Sequence, residues 1–597
     1  MLAETVGLME ILVVLAYIFA VVYLGWLGYV RTKTATDYLI AGRNIHPFVM
    51  ALSYGATFIS TSAIVGFGGV AGLFGMSLLW LVFLNIFFGI FVAFVFLGSP
   101  TRKMGHRLGA HTFPELLGKR YQSKFIQVFS GLVIFLFVPL YASAVLIGGC
   151  EFISTQFGVS YNVALLFFSL IIAAYVVVGG LKGVMYSDAL QGSIMLIGMA
   201  FLLIATYIKL GGVTFAHENL TNMAALVPDG LQKIGHRGWT ATPEFGFGSS
   251  SYNLWWISFS TICLGVGIGV LAQPQLIVRF MTVKSNRELN RAVPLGGVFI
   301  LVMVGVAYIV GSLSNVYFSR FGEPFTGRIE TMVDQQKGYA VLQLMQKQDG
   351  QWTDIEGKKV PVVLATDVEI QPEDAAAGIV KGRSISVVYA GGNAGQIIPN
   401  YITSAMPKWF ALVFLLTLLS AAMSTLSSQF HTLGTSLGRD VYETVTGSYK
   451  NSMMVTRTGI IIGIIIAVLW SYGARESTMI ARATAIFFGL CASTFLPAFI
   501  GGLFFKRMTK TAAISSMIVG FAVTSFWLLL VKSQEAESIG LVQKLTGGKT
   551  SILADYPNWP VVDPVVVALP ISLLVAVIVA FMTKPEDEQH LQTCFGK

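Results

Sequence analysis

The residues best suited to chemistry in this sequence are serine and threonine hydroxyls gathered within one apolar run. Residues 420–428 are Ser-Ala-Ala-Met-Ser-Thr-Leu-Ser-Ser. Residues three and four apart share one face of a helix. The resulting clusters are Ala421, Ser424 and Thr425, and, overlapping with it, Ser424, Ser427 and Ser428. Such a face could supply oxygen ligands to a sodium ion without burying a full charge, although close helix packing alone also tolerates these residues.

A second run is rich in residues that weaken a helix. Residues 51–75 contain many glycine, alanine, serine and threonine residues, with Ser60, Thr61 and Ser62 near the middle. A segment of this kind can unwind at membrane depth and offer backbone carbonyls to a cation, provided that it lines a cavity. The alternative is a tightly packed interface helix, because the same small residues are enriched there.

Asp188 lies near one end of another apolar run. An acidic side chain inside a membrane is costly and by default indicates an ion pathway. An Asp at the membrane interface can also be a helix N-cap. Both interpretations fit the sequence.

The run 251–275 contains Gly265, Gly267, Gly269 and Pro274. It is the seventh apolar run, five after the glycine-rich one. Interrupted segments in corresponding positions of two halves indicate an inverted repeat with a binding site near the middle of the membrane. The spacing therefore fits two five-helix halves.

Composition indicates a lipid environment. Of the 597 residues, 55% are hydrophobic and only 12% are charged, whereas soluble domains carry about 25% charged residues. The formal net charge of +9 is scattered between apolar runs, which fits cytoplasmic flanks of membrane helices rather than a nucleic-acid surface. The sequence has no ATP-binding loop, hydrolase triad or metal-binding pair. We therefore predict a gradient-driven membrane protein that is not an enzyme.

Thirteen apolar runs are long enough to cross a bilayer as helices. They are residues 8–30, 47–74, 77–99, 125–149, 161–180, 184–208, 251–275, 292–315, 407–436, 456–472, 479–504, 512–531 and 563–582. Because backbone groups in lipid must bond within their own segment, we predict an all-α polytopic protein of a cell membrane. Most of the 39 Lys and Arg residues fall on the cytoplasmic side if the N-terminus is outside and the C-terminus inside.

These runs and the polar stretches between them predict five regions. They are an N-terminal extra helix and cytoplasmic link (1–46), a first five-helix repeat (47–210), an extracellular loop (211–250), a second five-helix repeat that includes an extracellular cap at 316–406 (251–505), and C-terminal extra helices with a short cytoplasmic tail (506–597).

Several stretches, in order along the chain, are similar to the sodium/solute symporter family, whose members carry sugars, proline, pantothenate, sialic acid and monocarboxylates. They are residues 37–43, then 179–183 with 187–188 and 191–192, then 278–281 with 284–285, and finally 421–428 leading to 440–442. The last is the most specific, and the resemblance extends over about residues 37–445. It implies a core of the LeuT type, made of two inverted five-helix repeats with additional flanking helices. It also implies co-transport of Na+ with a small organic solute, without an organic cofactor.

The resemblance implies ligands for a principal sodium ion and for a second one. The principal site would use the carbonyls of Ala56, Ile59 and Ala421 and the hydroxyls of Ser424 and Thr425. Some relatives bind a second sodium, and the matching residues here are Asp188 with Ser424, Ser427 and Ser428. Asp188 could equally line the exit path of the first ion.

The solute pocket departs from the sugar branch of the family. Sugar carriers have Glu-Gln where this chain has Ser62 and Ala63, and an Asn and a gating Tyr where it has Val266 and Gly269. A sugar needs many hydrogen-bond partners, because each unpaired buried polar group costs about 1–3 kcal/mol.

No Arg lies in residues 125–149 to bind a large carboxylate. A small carboxylate could instead use the N–H groups of the broken helix and the hydroxyls of Ser60, Thr61 and Ser62. Residues 277–283 resemble the acetate and monocarboxylate branch of the family, and this resemblance implies a monocarboxylate-like solute. The alternatives are proline, pantothenate or another small solute, a proton-coupled carrier, and a membrane sensor that has lost transport.

Overall fold

The computed structural model describes residues 8–348, 351–473 and 479–596. Residues 1–7 of the predicted N-terminal region, 349–350 of the predicted cap, 474–478 of the predicted second repeat and 597 of the predicted tail lie outside this part of the chain.

Helices make up most of the described chain. The first group is α1 Leu8–Arg31, α2 Ala35–Ile40, α3 Pro47–Phe58, α4 Ser62–Phe74, α5 Met76–Arg107, α6 Phe113–Arg120, α7 Lys124–Phe157, α8 Tyr161–Leu210 and α9 Val213–Asn222. The second group is α10 Ser250–Ala272, α11 Pro274–Phe280, α12 Asn286–Phe321, α13 Ile397–Ala405, α14 Lys408–Thr446, α15 Ser452–Gly473, α16 Met479–Phe504, α17 Lys510–Val531, α18 Val565–Met582 and α19 Glu588–Phe595. Shorter helices lie at Met223–Leu226, Asp229–Gln232, Pro372–Ala376, Ser386–Tyr389, Ala394–Gln396, Ser533–Ile539, Leu541–Thr546 and Trp559–Val561.

All thirteen predicted runs fall on these helices. Among the described residues, 11 helices are long and apolar enough to cross a membrane, or 12 if the bent pair α3 and α4 is one span. The runs 161–180 and 184–208 are the two parts of α8, which kinks at Gly180, where φ is +58°. A side chain is strained at this angle, and a Cβ there would also lie 2.6 Å from the ring of Tyr38.

Two breaks interrupt apolar helices, the first near the middle of a helix pair and the second near the end of the run. The first follows Phe58, where Ile59 is extended and α4 leaves α3 at an angle of 52°. The second follows Ala272, where Gln273 is extended and Pro274 begins α11. Proline suits the first turn of a helix because its missing N–H has no intrahelical partner there. The second break therefore lies within the predicted run but beyond its glycines.

The second part of the broken helix, α4, packs closely on α12 through glycine. A Cβ on Gly311 of α12 would clash with the carbonyl oxygen of Gly68, whereas one on Gly305 of the same helix would have no atom within 4 Å. We expect Gly311→Ala to destabilise the protein by about 1–3 kcal/mol through overpacking. Gly305→Ala should be neutral or stabilising, since alanine favours a helix over glycine by about 1 kcal/mol. Melting temperatures of the purified variants test this, and equal shifts for both would contradict the packing assigned to Gly311.

The predicted cap contains a small β unit. Its strands are β1 Phe325–Asp334, β2 Tyr339–Gln348, β3 Gln351–Leu364 and β4 Ile379–Ser384. They form a closed antiparallel barrel in the order β1-β2-β3-β4, with β4 paired to β1. Its buried core consists of Ala340, Leu342, Leu344, Val360 and Val362. The all-α prediction thus holds for the membrane-spanning part, and this barrel is an addition to it.

Candidate ion and solute site

The hydroxyls of α14 meet the end of α3 at the first break. Ser424 Oγ donates a hydrogen bond to the carbonyl oxygen of Ala56 at 2.9 Å and lies 3.2 Å from that of Ala421. Thr425 Oγ1 donates to the carbonyl oxygen of Thr57 at 3.1 Å and lies 3.4 Å from that of Ala56. All of these residues are buried. The structure therefore brings together four of the five residues expected around a principal sodium ion.

The break makes backbone oxygens available at this point. The last four carbonyls of a helix have no intrahelical partner, and they form the negative end of its dipole. Ile59 donates its N–H to Gly55 but is itself extended, so its carbonyl lies beyond the helical ladder of α3. Partly negative carbonyls facing hydroxyls suit a monovalent cation, because they satisfy it without a buried carboxylate.

A second group of hydroxyls lies on the other side of the break. Ser60 Oγ and Ser62 Oγ are 2.8 Å apart, and Ser62 Oγ is 2.9 Å from Thr484 Oγ1 of α16. Tyr141 of α7 donates its hydroxyl to Ser60 Oγ at 3.4 Å. Thr61 does not join this group, because its hydroxyl donates to the carbonyl of Val145 at 2.6 Å.

Aromatic rings stand beside these hydroxyls. The ring of Tyr141 stacks on Phe487 at 5.9 Å and meets Phe488 edge-on at 5.2 Å. Gly269 allows Phe488 to approach α10, since a Cβ there would lie 2.6 Å from the Phe488 side chain. Val266 is buried on the same helix. Of the residues predicted to contact the solute, Ser60 and Ser62 supply polar groups, and Val266 and Gly269 supply only apolar surface.

A buried ion pair lies close to the predicted sodium ligands, between α8 and α11. Arg279 of α11 and Asp188 of α8 are 1% and 0% exposed, and Nη2 of the arginine is 2.9 Å from Oδ2 of the aspartate. The same guanidinium donates to Ser428 Oγ at 2.7 Å, to Ser53 Oγ at 3.0 Å and to Thr57 Oγ1. Ser53 also donates to Asp188 at 2.7 Å. One cation thus joins α3, α8, α11 and α14.

This ion pair changes the interpretation of the expected second sodium site. The expected ligands are Asp188, Ser424, Ser427 and Ser428, but the guanidinium of Arg279 contacts Asp188 and Ser428. The hydroxyl of Ser427 donates to the backbone carbonyl of Ser424 at 3.0 Å. A second cation beside a buried guanidinium would be repelled, so the second sodium site stays a prediction that this arrangement of the helices does not support.

The short helix α2 packs against α8 and α14 near this ion pair. Asp37 accepts a hydrogen bond from Lys182 Nζ at 2.6 Å, and this bond lowers the pKa of Asp37 to about 2. The ring of Tyr38 packs beside His431 of α14, whose Nε2 is 3.1 Å from the Tyr38 carbonyl. These contacts fix α2 between the kink of α8 and the turn of α14 that contains His431.

Comparison with known proteins identifies the family of the chain. The profile of the Sodium:solute symporter family matches residues 38–366 and 374–520. The chain belongs to this family. Its relatives include the osmoregulated proline transporter OpuE of Bacillus subtilis, 25% identical over 548 residues (90% of this chain and 92% of the relative). The sodium/pantothenate symporter of Haemophilus influenzae is 24% identical over 515 residues, which are 86% of this chain and 88% of the relative.

A solved structure supports the fold of this symporter. It is a Na+-coupled sialic acid symporter in a substrate-bound outward-open state, with a TM-score of 0.67 and 17% identity over 97% of this chain and 99% of that one. The LeuT-type fold predicted from the sequence is thereby confirmed. The protein is a multi-pass membrane transporter and not an enzyme, and sodium is its co-transported ion.

Several residues of the site were not assigned a role from the sequence. Tyr141 and Thr484 complete the hydroxyl group, and Ser53 and Thr57 complete the ion-pair network. Arg279 carried a detectable signal, because it is a charged residue five positions after the proline of an interrupted membrane run. Intramembrane charges normally have a partner, so Arg279 and Asp188 could have been paired in advance.

Proposed function

We propose that this symporter imports a small solute with a carboxylate group, coupled to one sodium ion, by alternating access. The observation that carries the proposal is the group of Ser60, Ser62, Thr484 and Tyr141 hydroxyls that meet at the start of α4. The N-terminal turn of a helix forms its positive end. In α4 the N–H groups of Ala63 and Ile64 donate to the carbonyl oxygen of Ser60, so the dipole of this turn and the four hydroxyls are the groups that would bind a carboxylate without an arginine.

The aromatic rings beside these hydroxyls determine which kind of group the solute carries next to its carboxylate. The rings of Tyr141, Phe487 and Phe488 favour a compact apolar body beside the carboxylate. A monocarboxylate fits this description best. Proline is the second candidate, because relatives are named for proline, and its ring would lie against the same aromatic surface.

Sodium coupling follows because the predicted sodium ligands and the hydroxyls proposed to bind the solute lie on either side of the same break. A sodium ion bound by the carbonyls of Ala56, Ile59 and Ala421 and by Ser424 and Thr425 would hold α3 against α14. This would fix the direction in which α4 begins and therefore the solute group at Ser60 and Ser62. Because such coupling is reciprocal, solute should raise the affinity for sodium by the same factor.

Arg279 supplies a permanent positive charge where some relatives are expected to bind a second cation. We therefore assign one sodium ion to each transport cycle, released toward the cytoplasm past the Asp188–Arg279 pair and α2. Residues 47–210 and 251–505 act as the two inverted repeats, each beginning with a broken helix. The N-terminus lies outside and the C-terminus in the cytoplasm, as the distribution of Lys and Arg favours.

Uptake into proteoliposomes tests the proposal. Labelled acetate, pyruvate, proline, pantothenate and glucose are each offered under an inward sodium gradient and, separately, under a proton gradient alone. We expect sodium-dependent uptake of a small carboxylate and none of glucose. Uptake with protons alone would overturn the ion assignment, and sodium-dependent uptake of glucose would overturn the solute class.

A further inference from the structure

The first membrane helix sends one hydroxyl into the region of the predicted sodium ligands. Tyr17 of α1 is buried, although much of that helix is exposed. Its hydroxyl accepts hydrogen bonds from Gln191 Nε2 and Ser420 Oγ, each at 3.2 Å. It donates in turn to Met423 Sδ at 3.6 Å.

The partners of Tyr17 belong to the two helices that carry the ion chemistry. Gln191 follows Asp188 by three residues on α8, and residues at this spacing share a helix face. Ser420 directly precedes Ala421 on α14 and lies one turn before Ser424. Tyr17 lies on α1, outside the two proposed repeats. Its hydroxyl therefore connects α8, which carries Asp188, with α14, which carries Ser424.

The bond to Tyr17 also changes what Ser420 does within its own helix. Ser427 and Ser428 both donate to the backbone carbonyl of Ser424, each at 3.0 Å. Serine bonds of this kind compete with the helical ladder and often bend a helix. Ser420 donates outward to Tyr17 instead, which fixes the rotation of α14 at the turn that contains Ala421.

The position of Tyr17 relative to α8 is set by a close helix crossing. A Cβ on Gly28 of α1 would clash with the backbone of Gly183 on α8. Small residues that let two backbones approach are a common way of fixing the register of membrane helices. Tyr17 lies three turns from this crossing on the same rigid helix, so its hydroxyl reaches a defined position.

We propose that Tyr17 is a positioning residue for the sodium site, acting through Ser420 on the Ala421 carbonyl and the Ser424 hydroxyl. The proposal rests on the proposed function, because it takes those two groups as sodium ligands. Nothing in it requires Tyr17 to contact sodium or solute. Its effect should therefore fall on sodium affinity rather than on the maximal rate of transport.

The test compares Tyr17→Phe with wild type in proteoliposomes, with uptake normalised to inserted protein. Removing one hydrogen-bonded hydroxyl should raise the half-saturating sodium concentration about two- to tenfold, with the maximal rate at saturating sodium retained. Tyr29→Phe is the matched control, since Tyr29 lies on the same helix with 49% of its surface exposed; it should behave as wild type.

Ser420→Ala separates positioning from general packing. It should reproduce the shift, and the double variant Tyr17→Phe/Ser420→Ala should show no further shift, because both changes remove the same bond. Additive effects, an unchanged sodium dependence in Tyr17→Phe, or a loss of maximal rate alone would each overturn the proposal. If wild type itself shows no sodium-dependent uptake, the proposed function fails instead, which distinguishes the two failures.

Discussion

Thr425→Ala is expected to raise the half-saturating sodium concentration about ten- to hundredfold, the loss usual for a hydrogen-bonding group that contacts a charge. Thr425 Oγ1 faces the carbonyl oxygens of Ala56 and Thr57 at the end of α3. Without this hydroxyl, a bound cation would lose one oxygen ligand in a buried site where water cannot easily replace it. Ser424→Ala should act in the same direction. Initial uptake rates measured against sodium concentration give the shift directly.

The same helix supplies a matched control. Thr417 is also buried on α14, but its hydroxyl donates to the carbonyl of Val413 within the helix at 3.0 Å. Thr417→Ala should leave the sodium dependence unchanged, and Thr425→Ser, which keeps a hydroxyl, should recover most of it. A wild-type sodium dependence in Thr425→Ala would remove this residue from the ion site.

Arg279→Gln should have an equally large effect, on stability as well as on transport. Breaking a buried ion pair by removing one partner costs about 3–5 kcal/mol, because the other charge is left without compensation. Asp188→Asn should be damaging for the same reason. Thermal unfolding of the purified protein and uptake in proteoliposomes measure the two consequences separately.

The double variant Asp188→Asn/Arg279→Gln shows whether the pair acts as a unit. It removes both charges, so its stability should exceed that of either single variant. Arg279→Lys should not restore transport, since a lysine cannot donate in the planar fork with which arginine reaches Asp188, Ser428 and Ser53. Purely additive losses in the double variant would show that the two residues are not coupled.

The sequence was informative where local patterns decide the structure. Continuous apolar runs determine helices in lipid, so each predicted run falls on a helix. Small and hydroxyl residues around Ser60 weaken one helix enough to break it. The spacing of Ser424 and Thr425 places both on one helix face. The family resemblance supplied the further prediction that this face contacts the end of α3.

Long-range contacts were harder to predict. Asp188, Arg279 and Ser428 are far apart in sequence, and no local pattern says that a guanidinium lies where a cation was expected. The barrel was missed for a different reason. Its strand β2 alternates Ala340, Leu342 and Leu344 toward the core, which is a recognisable strand pattern, but the high polarity of residues 316–406 led only to the prediction of a partly ordered cap.

The central claim is that sodium bound between α3 and α14 drives solute across the membrane. Simultaneous measurement of radioactive sodium and labelled solute entering the same proteoliposomes tests it most directly. We expect solute to stimulate sodium entry, with one sodium ion per solute molecule in wild type, and we expect no coupled sodium entry in Thr425→Ala at the same sodium concentration. Solute entry without any accompanying sodium, or coupled sodium entry that persists unchanged in Thr425→Ala, would contradict the account.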